Sequence, residues 1–97
     1  MNHRLVIRSE AETDLGDAYD WYEKNAPGRG EAFLFSFNTF LSLIDRMPNI
    51  CRRVRGRVRK GLMRRYPYRV FYAIRQDAIV VLGVVHAARE IPEKWRL

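Results

Sequence analysis

A change in the spacing of apolar residues at Pro48 limits the possible folds of this chain more than any other feature. Before that proline, apolar residues recur every three to four positions, as on one face of an amphipathic helix. After it, apolar and polar residues alternate, which is typical of half-buried strands. A run of helices followed by a run of strands predicts an α+β fold, in which the helices pack on an antiparallel sheet.

Two helices are predicted in the first half of the chain. Residues 4–8 (RLVIR) predict a short first strand, and Ser9 with Glu12 three positions later matches the capping-box pattern of a helix start. The NAPG run at residues 25–28 breaks this helix, and a second helix follows from about Gly30. The apolar stripe of the second helix comprises Phe33, Phe37, Phe40, Leu41 and Ile44, widened by Leu34 and Phe35. We expect the two helices to form a hairpin.

Three strands are predicted in the second half. Residues 57–65 (RVRKGLMRR) predict a strand that is interrupted or bulged at Gly61. Residues 69–75 alternate cleanly, and a polar turn leads into residues 79–86, which are apolar on both faces, as in an interior strand. The order β-α-α-β-β-β predicts one domain over residues 1–97, an antiparallel sheet with a helical hairpin packed on one face.

Charge is distributed unevenly along the chain. The net charge is +7, but residues 1–51 hold five Lys and Arg against eight Asp and Glu, whereas residues 52–97 hold thirteen against three. The second half suits a polyanion or an acidic protein partner, although a solvated surface explains the charge equally well. One cysteine, two histidines and the lack of a long apolar segment predict a cytoplasmic protein without a disulfide, zinc site or membrane span.

Alternation in residues 69–75 predicts which side of the sheet is free. The side chains expected to contact the helices are Val70, Tyr72 and Ile74, and those expected on the opposite side are Arg69, Phe71 and Arg75. The cations of residues 57–65 can join them, and we expect Arg69, Arg89 and these cations to converge in one region. The free side would then be a basic, partly aromatic surface, although charged residues facing outward are also ordinary in half-buried strands.

Along nearly all of its length the sequence resembles one family. The residues that carry the resemblance are Ala11-x-x-Asp14-Leu15 and Trp21-Tyr22, Pro27-Gly28-x-Gly30-x-x-Phe33, Pro48, and then YPYRVFYAI, IVVLGVVHAARE and IPEKW. In this ordered set the chain is similar to the RelE/ParE superfamily of bacterial toxins from type II toxin–antitoxin systems. The resemblance is closest to the ParE, or plasmid-stabilisation, branch.

The resemblance implies two possible activities. ParE-like members poison DNA gyrase by binding, without catalytic residues of their own. RelE-like members cut messenger RNA in the decoding site of the ribosome. In both cases the resemblance implies a toxin without a cofactor or metal, held in a hetero-oligomer by a cognate antitoxin whose amphipathic segments wrap it.

RNA cleavage by attack of the 2′-hydroxyl requires a proton acceptor, a proton donor and cations that stabilise the phosphorane. The resemblance implies RelE-like roles for Lys60, Arg69 and Arg89, and His86 could exchange protons near neutral pH, so the candidate set for cleavage is Lys60, Arg69, His86 and Arg89. A structural role remains the alternative for the histidine. Leu62 falls at a second lysine position, and Trp95, which could stack on a base, lies near a tyrosine position. This incomplete set favours gyrase inhibition, with mRNA cleavage as the alternative and a non-toxic interaction module as a third possibility.

The resemblance and the charge pattern together predict two sets of contact residues. Those predicted to bind the target are Arg69, Arg75, His86, Arg89 and Trp95. Those predicted to bind the antitoxin are Trp21, Leu34, Phe35, Arg57, Arg59 and Arg64. For the three apolar members of the second set, packing in the seam of the helical hairpin is the alternative.

Overall fold

The computed structural model describes residues 3–95. In chain order the elements are β1 (Arg4–Ile7), α1 (Ser9–Asn25), α2 (Arg29–Arg46), β2 (Arg53–Arg55), β3 (Val58–Leu62), β4 (Tyr68–Arg75), β5 (Ala78–His86) and a 3-10 helix (Glu93–Trp95). The α+β class is confirmed. The structure adds the three-residue strand β2, which is too short for its alternation to stand out in the sequence. None of the helices within residues 3–95 combines the length and the hydrophobicity of a membrane span.

The five strands form one mixed sheet in the order β1-β5-β4-β3-β2. Strands β2 to β5 pair as antiparallel neighbours, whereas β1 runs parallel to β5, with Arg4 opposite Ala78. The prediction of a wholly antiparallel sheet is therefore wrong at β1. That strand continues into the helical hairpin and not into a tight turn, so no local geometry requires antiparallel pairing. The interior position predicted for residues 79–86 is confirmed, because β5 lies between β1 and β4.

The predicted bulge at Gly61 is also wrong. Gly61 pairs regularly with Val70, and the register shifts instead between Arg53 and Arg55 in the β2–β3 pair and between Phe71 and Tyr72 in the β4–β5 pair. The glycine is needed for space, since a Cβ at this position would overlap the ring of Phe40 and the sulfur of Cys51. A glycine inside a strand indicates either a bulge or a close approach, and here the second explanation holds.

Glu23 holds the corner between the two helices. Its carboxylate accepts hydrogen bonds from the amides of Gly28 and Gly30, each at 3.0 Å, and so places a negative charge at the start of α2. Gly28 has a φ of 89°, a left-handed conformation that glycine adopts without strain. The helical hairpin is thus confirmed, with a carboxylate clasp that the sequence pattern did not predict.

The predicted capping box at the start of α1 is not formed. The amide of Glu12 already donates to the carbonyl of Arg8 at 2.9 Å, so Ser9 lies inside the first turn and Arg8 is the N-cap residue. Among the described residues this N-cap makes no side-chain capping bond. Helix α1 is held mainly by the packing of its apolar face.

The main core lies between the helical hairpin and the inner face of the sheet. The predicted stripe of α2 is buried there with Ala11, Leu15, Ala18 and Tyr22 of α1, and the sheet contributes Val70, Tyr72, Ile79, Val81 and Val84. The Tyr72 hydroxyl donates to the carbonyl of Pro48 at 3.1 Å, and burial raises the pKa of this phenol far above its ordinary value. The predicted inward direction of Val70 and Tyr72 is confirmed.

A second, smaller core covers part of the outer face. Phe71 is fully buried there, because the ring of Trp95 stacks on it with centroids 4.4 Å apart and an interplanar angle of 23°. Val54 completes this outer cluster, with Ile91 and Val85 at its margin. Phe71 points to the outer face as predicted. The prediction that it is exposed there is wrong, because the segment after β5 folds back over the sheet.

Candidate interaction surfaces

A groove of about 690 Å³ runs between α1 and the ends of β4 and β5. We call it the α1 groove, and its lining comprises Asp14, Asp17, Ala18, Trp21, Tyr22, Arg29, Pro67, Tyr68, Val84, His86 and Arg89. Its walls combine an apolar and aromatic floor with carboxylates on the α1 side and cations opposite them. This mixture of aromatic surface and charges of both signs is suited to protein recognition.

Asp14 anchors α1 to the sheet inside the α1 groove. Its Oδ2 atom accepts a hydrogen bond of 2.8 Å from the amide of Val84. Burial raises the pKa of this carboxyl, partly offset by the Val84 bond and by the charge of Arg89. A carboxylate committed to a backbone amide in this way serves first to position the helix.

His86 has a structural hydrogen bond at the other side of the groove. Its Nδ1 atom accepts from the amide of Ala88 at 3.0 Å, and the amide of Arg89 donates to its carbonyl, also at 3.0 Å. Its ring packs edge-on against Tyr68, with centroids 5.0 Å apart. These contacts support the structural alternative for His86, because they fix the turn that carries Arg89 into the groove.

The four residues matched to RNA cleavage lie on two surfaces of the protein. Lys60 lies opposite Phe71 in the sheet register and Arg69 opposite Leu62, which places both cations on the outer face. His86 and Arg89 line the α1 groove instead. Arg69 Nη1 donates a hydrogen bond of 3.5 Å to the backbone carbonyl of Arg89, which ties the segment after β5 to β4.

Trp95 is not an exposed stacking residue. Only 7% of its surface is accessible, one ring face covers Phe71, and a Cβ on Gly83 would overlap the indole. The ammonium of Lys94 lies 5.0 Å from the ring and pairs with Glu10 of α1 at 2.9 Å. The predicted contact of Trp95 with the target requires an exposed ring. That requirement is not met, because the ring is buried in the outer cluster.

Arg75 belongs to a different surface from Arg69. A pocket of about 420 Å³ opens on the outer face, and its lining comprises Arg8, Arg57, Val58, Ala73, Arg75, Val80 and Leu82. We call it the arginine pocket. Arg75 lies six positions after Arg69 along β4, which corresponds to roughly 20 Å of strand. The predicted convergence of Arg69 with the cations of residues 57–65 is therefore wrong for Arg57, which lines the arginine pocket with Arg75.

The residues predicted to bind the antitoxin are spread over several surfaces. Trp21 and Phe35 are 59% and 74% exposed, whereas Leu34 is half-buried against the main core. Among the three arginines of the set, Arg57 lines the arginine pocket, Arg64 is exposed, and Arg59 is half-buried with its Nη1 atom donating to the Cys51 carbonyl at 2.6 Å. Packing in the seam of the helical hairpin is therefore wrong for Trp21 and Phe35, whose rings lie at the surface of the hairpin.

The sequence pattern did not indicate that two further arginines, Arg8 and Arg29, line these surfaces. Arg8 lines the arginine pocket, and Arg29 lines the α1 groove. The alternation of Arg4, Val6 and Arg8 on the outward side of β1 could have indicated the first, whereas nothing in the local pattern indicated the second. Residues 3–95 contain no group of three or more His, Cys, Asp or Glu side chains placed to hold a metal ion.

Fold and surface together define a small basic α+β protein with a helical hairpin on a mixed sheet, an α1 groove and an arginine pocket. Residues 5–91 match the family of the ParE toxin of the type II toxin–antitoxin system, parDE, and the chain belongs to this family. Eleven chains of solved structures match it. One is described as the chromosomal ParDE toxin–antitoxin system from P. aeruginosa, with a TM-score of 0.74 and 17% identity over 88% of this chain and 96% of that one. No curated protein matches the chain.

Proposed function

We propose that this ParE-type toxin acts in the cytoplasm by binding and inhibiting DNA gyrase and is neutralised by a cognate antitoxin. The observation that carries the proposal is the separation of Lys60 from His86. Lys60 lies on the outer face opposite Phe71, whereas His86 lines the α1 groove, where its Nδ1 atom accepts from the Ala88 amide. General acid–base chemistry requires donor and acceptor within hydrogen-bonding reach of one reacting group, directly or through one water. A binding mechanism has no such requirement.

We assign the gyrase contact to the end of the sheet where Arg69 and Arg89 approach each other. Arg89 is exposed at the mouth of the α1 groove, and the hydrogen bond from Arg69 to its carbonyl holds the segment that presents it. Guanidinium groups suit this role because they bind carboxylates and phosphates in bidentate geometry. His86 supports the same segment through its bond to Ala88.

The experiment that tests this proposal combines two readouts in cells that express the toxin. We expect linearised plasmid and a DNA-damage response, and we expect Arg89→Ala to weaken both by about tenfold or more, since loss of an interfacial charge pair costs at least that much. Codon-phased cuts in translated messages, mapped by primer extension, would instead establish mRNA cleavage. Arg53→Ala, which removes an exposed charge from the distant edge strand β2, is the matched control.

The proposed antitoxin contact includes the exposed aromatic rings of the hairpin. Trp21 borders the α1 groove, and Phe35 projects from α2 with three quarters of its surface accessible. Exposed aromatic side chains of this kind often dominate the binding energy of an interface. Coexpression with the antitoxin encoded beside the toxin gene should yield a complex. The double change Trp21→Ala and Phe35→Ala should weaken this complex while leaving the fold intact.

A further inference from the structure

The arginine pocket lies outside the region that we assign to gyrase. Its floor is aliphatic and consists of Val58, Ala73, Val80 and Leu82. Two of these side chains, Ala73 and Val80, are only 6% and 7% exposed, so the floor is well packed. Its rim consists of Arg8, Arg57 and Arg75, which come from three different strands or their ends and are all exposed. Basic side chains thus surround an apolar surface on three sides.

The position of the pocket indicates what kind of occupant would fit. Val58 and Leu82 form part of its floor and also pack against the outer cluster, so the pocket begins where the cover formed by Ile91 and Trp95 ends. An extended or helical segment with aliphatic side chains would continue this cover over the second half of the sheet. Burial of that apolar surface would supply the non-directional part of the binding energy.

The charges of the rim select acidic groups in the occupant. The charged residues that line the pocket within residues 3–95 are all arginines. Asp77, at the nearby β4–β5 turn, lies 3.8 Å from Arg4 in an exposed ion pair. Such a pair is weakly held, and it leaves the rim with a net positive charge. Carboxylates are the groups of a polypeptide that guanidinium groups bind best.

Nucleic acid fits this pocket less well than an acidic peptide does. Proteins that bind single strands stack bases on aromatic side chains, and the floor of this pocket is aliphatic. Contacts to duplex phosphates need cations but gain nothing from a buried apolar floor. The combination of an aliphatic floor and a guanidinium rim therefore favours a peptide that carries both aliphatic and acidic side chains.

We propose that the arginine pocket binds an acidic segment of the antitoxin, with aliphatic side chains on the floor and carboxylates paired with Arg8, Arg57 and Arg75. This inference rests on the antitoxin partnership proposed above and adds a contact on the opposite side of the sheet from the helical hairpin. The antitoxin then contacts both layers of the toxin. Charge complementarity at the pocket contributes to the choice of partner as well as to affinity.

The test compares two triple variants of the full-length toxin that lose the same charge. The first carries Arg8→Gln, Arg57→Gln and Arg75→Gln, and the control carries Arg46→Gln, Arg52→Gln and Arg53→Gln, all exposed and outside the pocket. Calorimetric titration with full-length antitoxin should show an affinity loss of about 30-fold or more for the pocket variant and less than about fivefold for the control. Thermal unfolding monitored by circular dichroism should confirm that both variants are folded.

Two further measurements make the result decisive. Val58→Thr, which is nearly isosteric, should weaken antitoxin binding at least threefold or so, because it puts a hydroxyl in the floor. Binding of a short duplex DNA should fall equally in the two triple variants. The inference would be overturned if the two triple variants bound the antitoxin with equal affinity, or if only the pocket variant lost DNA binding. In either case the complex formed by the wild-type toxin would still support the antitoxin partnership. If wild-type toxin binds no antitoxin, the proposed partnership itself fails.

Discussion

The two faces of the sheet are covered in different ways. On the inner face, two helices of 17 and 18 residues bury a continuous core, and even the Tyr72 hydroxyl has a partner. On the outer face, a short C-terminal segment covers Phe71 through Trp95 and leaves the arginine pocket open. The inner face therefore carries most of the stability, and the outer face is divided between a small structural cluster and a surface available for binding. Strand alternation sorts side chains between two faces but does not determine what covers each face.

The largest expected effect is that of truncation at the inner face. Tyr72→Ala should lower the free energy of unfolding by about 3–5 kcal/mol, the usual cost of removing a buried aromatic side chain. Tyr72→Phe, which removes only the hydrogen bond to Pro48, should cost about 1 kcal/mol. Denaturant unfolding of both variants measures the difference. Similar small losses for both would mean that the inner face is not the main source of stability.

A smaller loss is expected at the outer face. Trp95→Ala should lower the free energy of unfolding by about 2–3 kcal/mol, near the lower end for aromatic truncations, because the short segment that carries Trp95 can relax around the cavity. Trp21→Ala is the matched control, and its loss should stay within about 0.5 kcal/mol since the ring is 59% exposed. Denaturant unfolding measures both values. Equal losses of unfolding free energy for the two tryptophan variants would show that the outer cluster adds no stability. The outer face would then not be divided into a structural cluster and an open binding surface.

The difference between the faces also explains which parts of the fold could be predicted from the sequence. The helices and the inward direction of Val70 and Tyr72 follow from local periodicity, which each segment carries by itself. The cover of Phe71 depends on a contact with Trp95, 24 residues later in the chain, and no local pattern reports such a contact. The parallel pairing of β1 likewise depends on the path of the whole chain.

The candidate surfaces show the same limit. The sequence predicts Arg75 as a target contact and Arg57 as an antitoxin contact that converges with Arg69. The sheet register instead brings both arginines together with Arg8 in the arginine pocket. Arg89 is predicted to converge with Arg69 and the cations of residues 57–65, and the turn after β5 places it in the α1 groove with His86. Residue type was thus a fair guide to which side chains lie at surfaces. Grouping them required the register of five strands.

The smallest expected effect concerns the attachment of α1 to the inner face, through Asp14. The pKa of this carboxyl is raised chiefly by burial, and the negative charges of Glu10 and Asp17 raise it further, so the folded protein holds this proton more tightly than the unfolded chain does. Its contribution to stability is therefore full below the unfolded pKa and is lost as the pH rises through the higher folded pKa. Asp14→Asn keeps an oxygen that can accept from the Val84 amide but does not titrate.

The stability of Asp14→Asn relative to the wild type should thus increase as the pH rises from the acid range to neutrality. Subtracting the two curves of unfolding free energy against pH removes the titration of all other carboxylates that the variant leaves unchanged. A flat difference curve for Asp14→Asn, or one that falls toward neutral pH, would show that burial does not control this carboxyl. The Asp14 carboxylate would then stabilise the contact between α1 and β5 in its charged form.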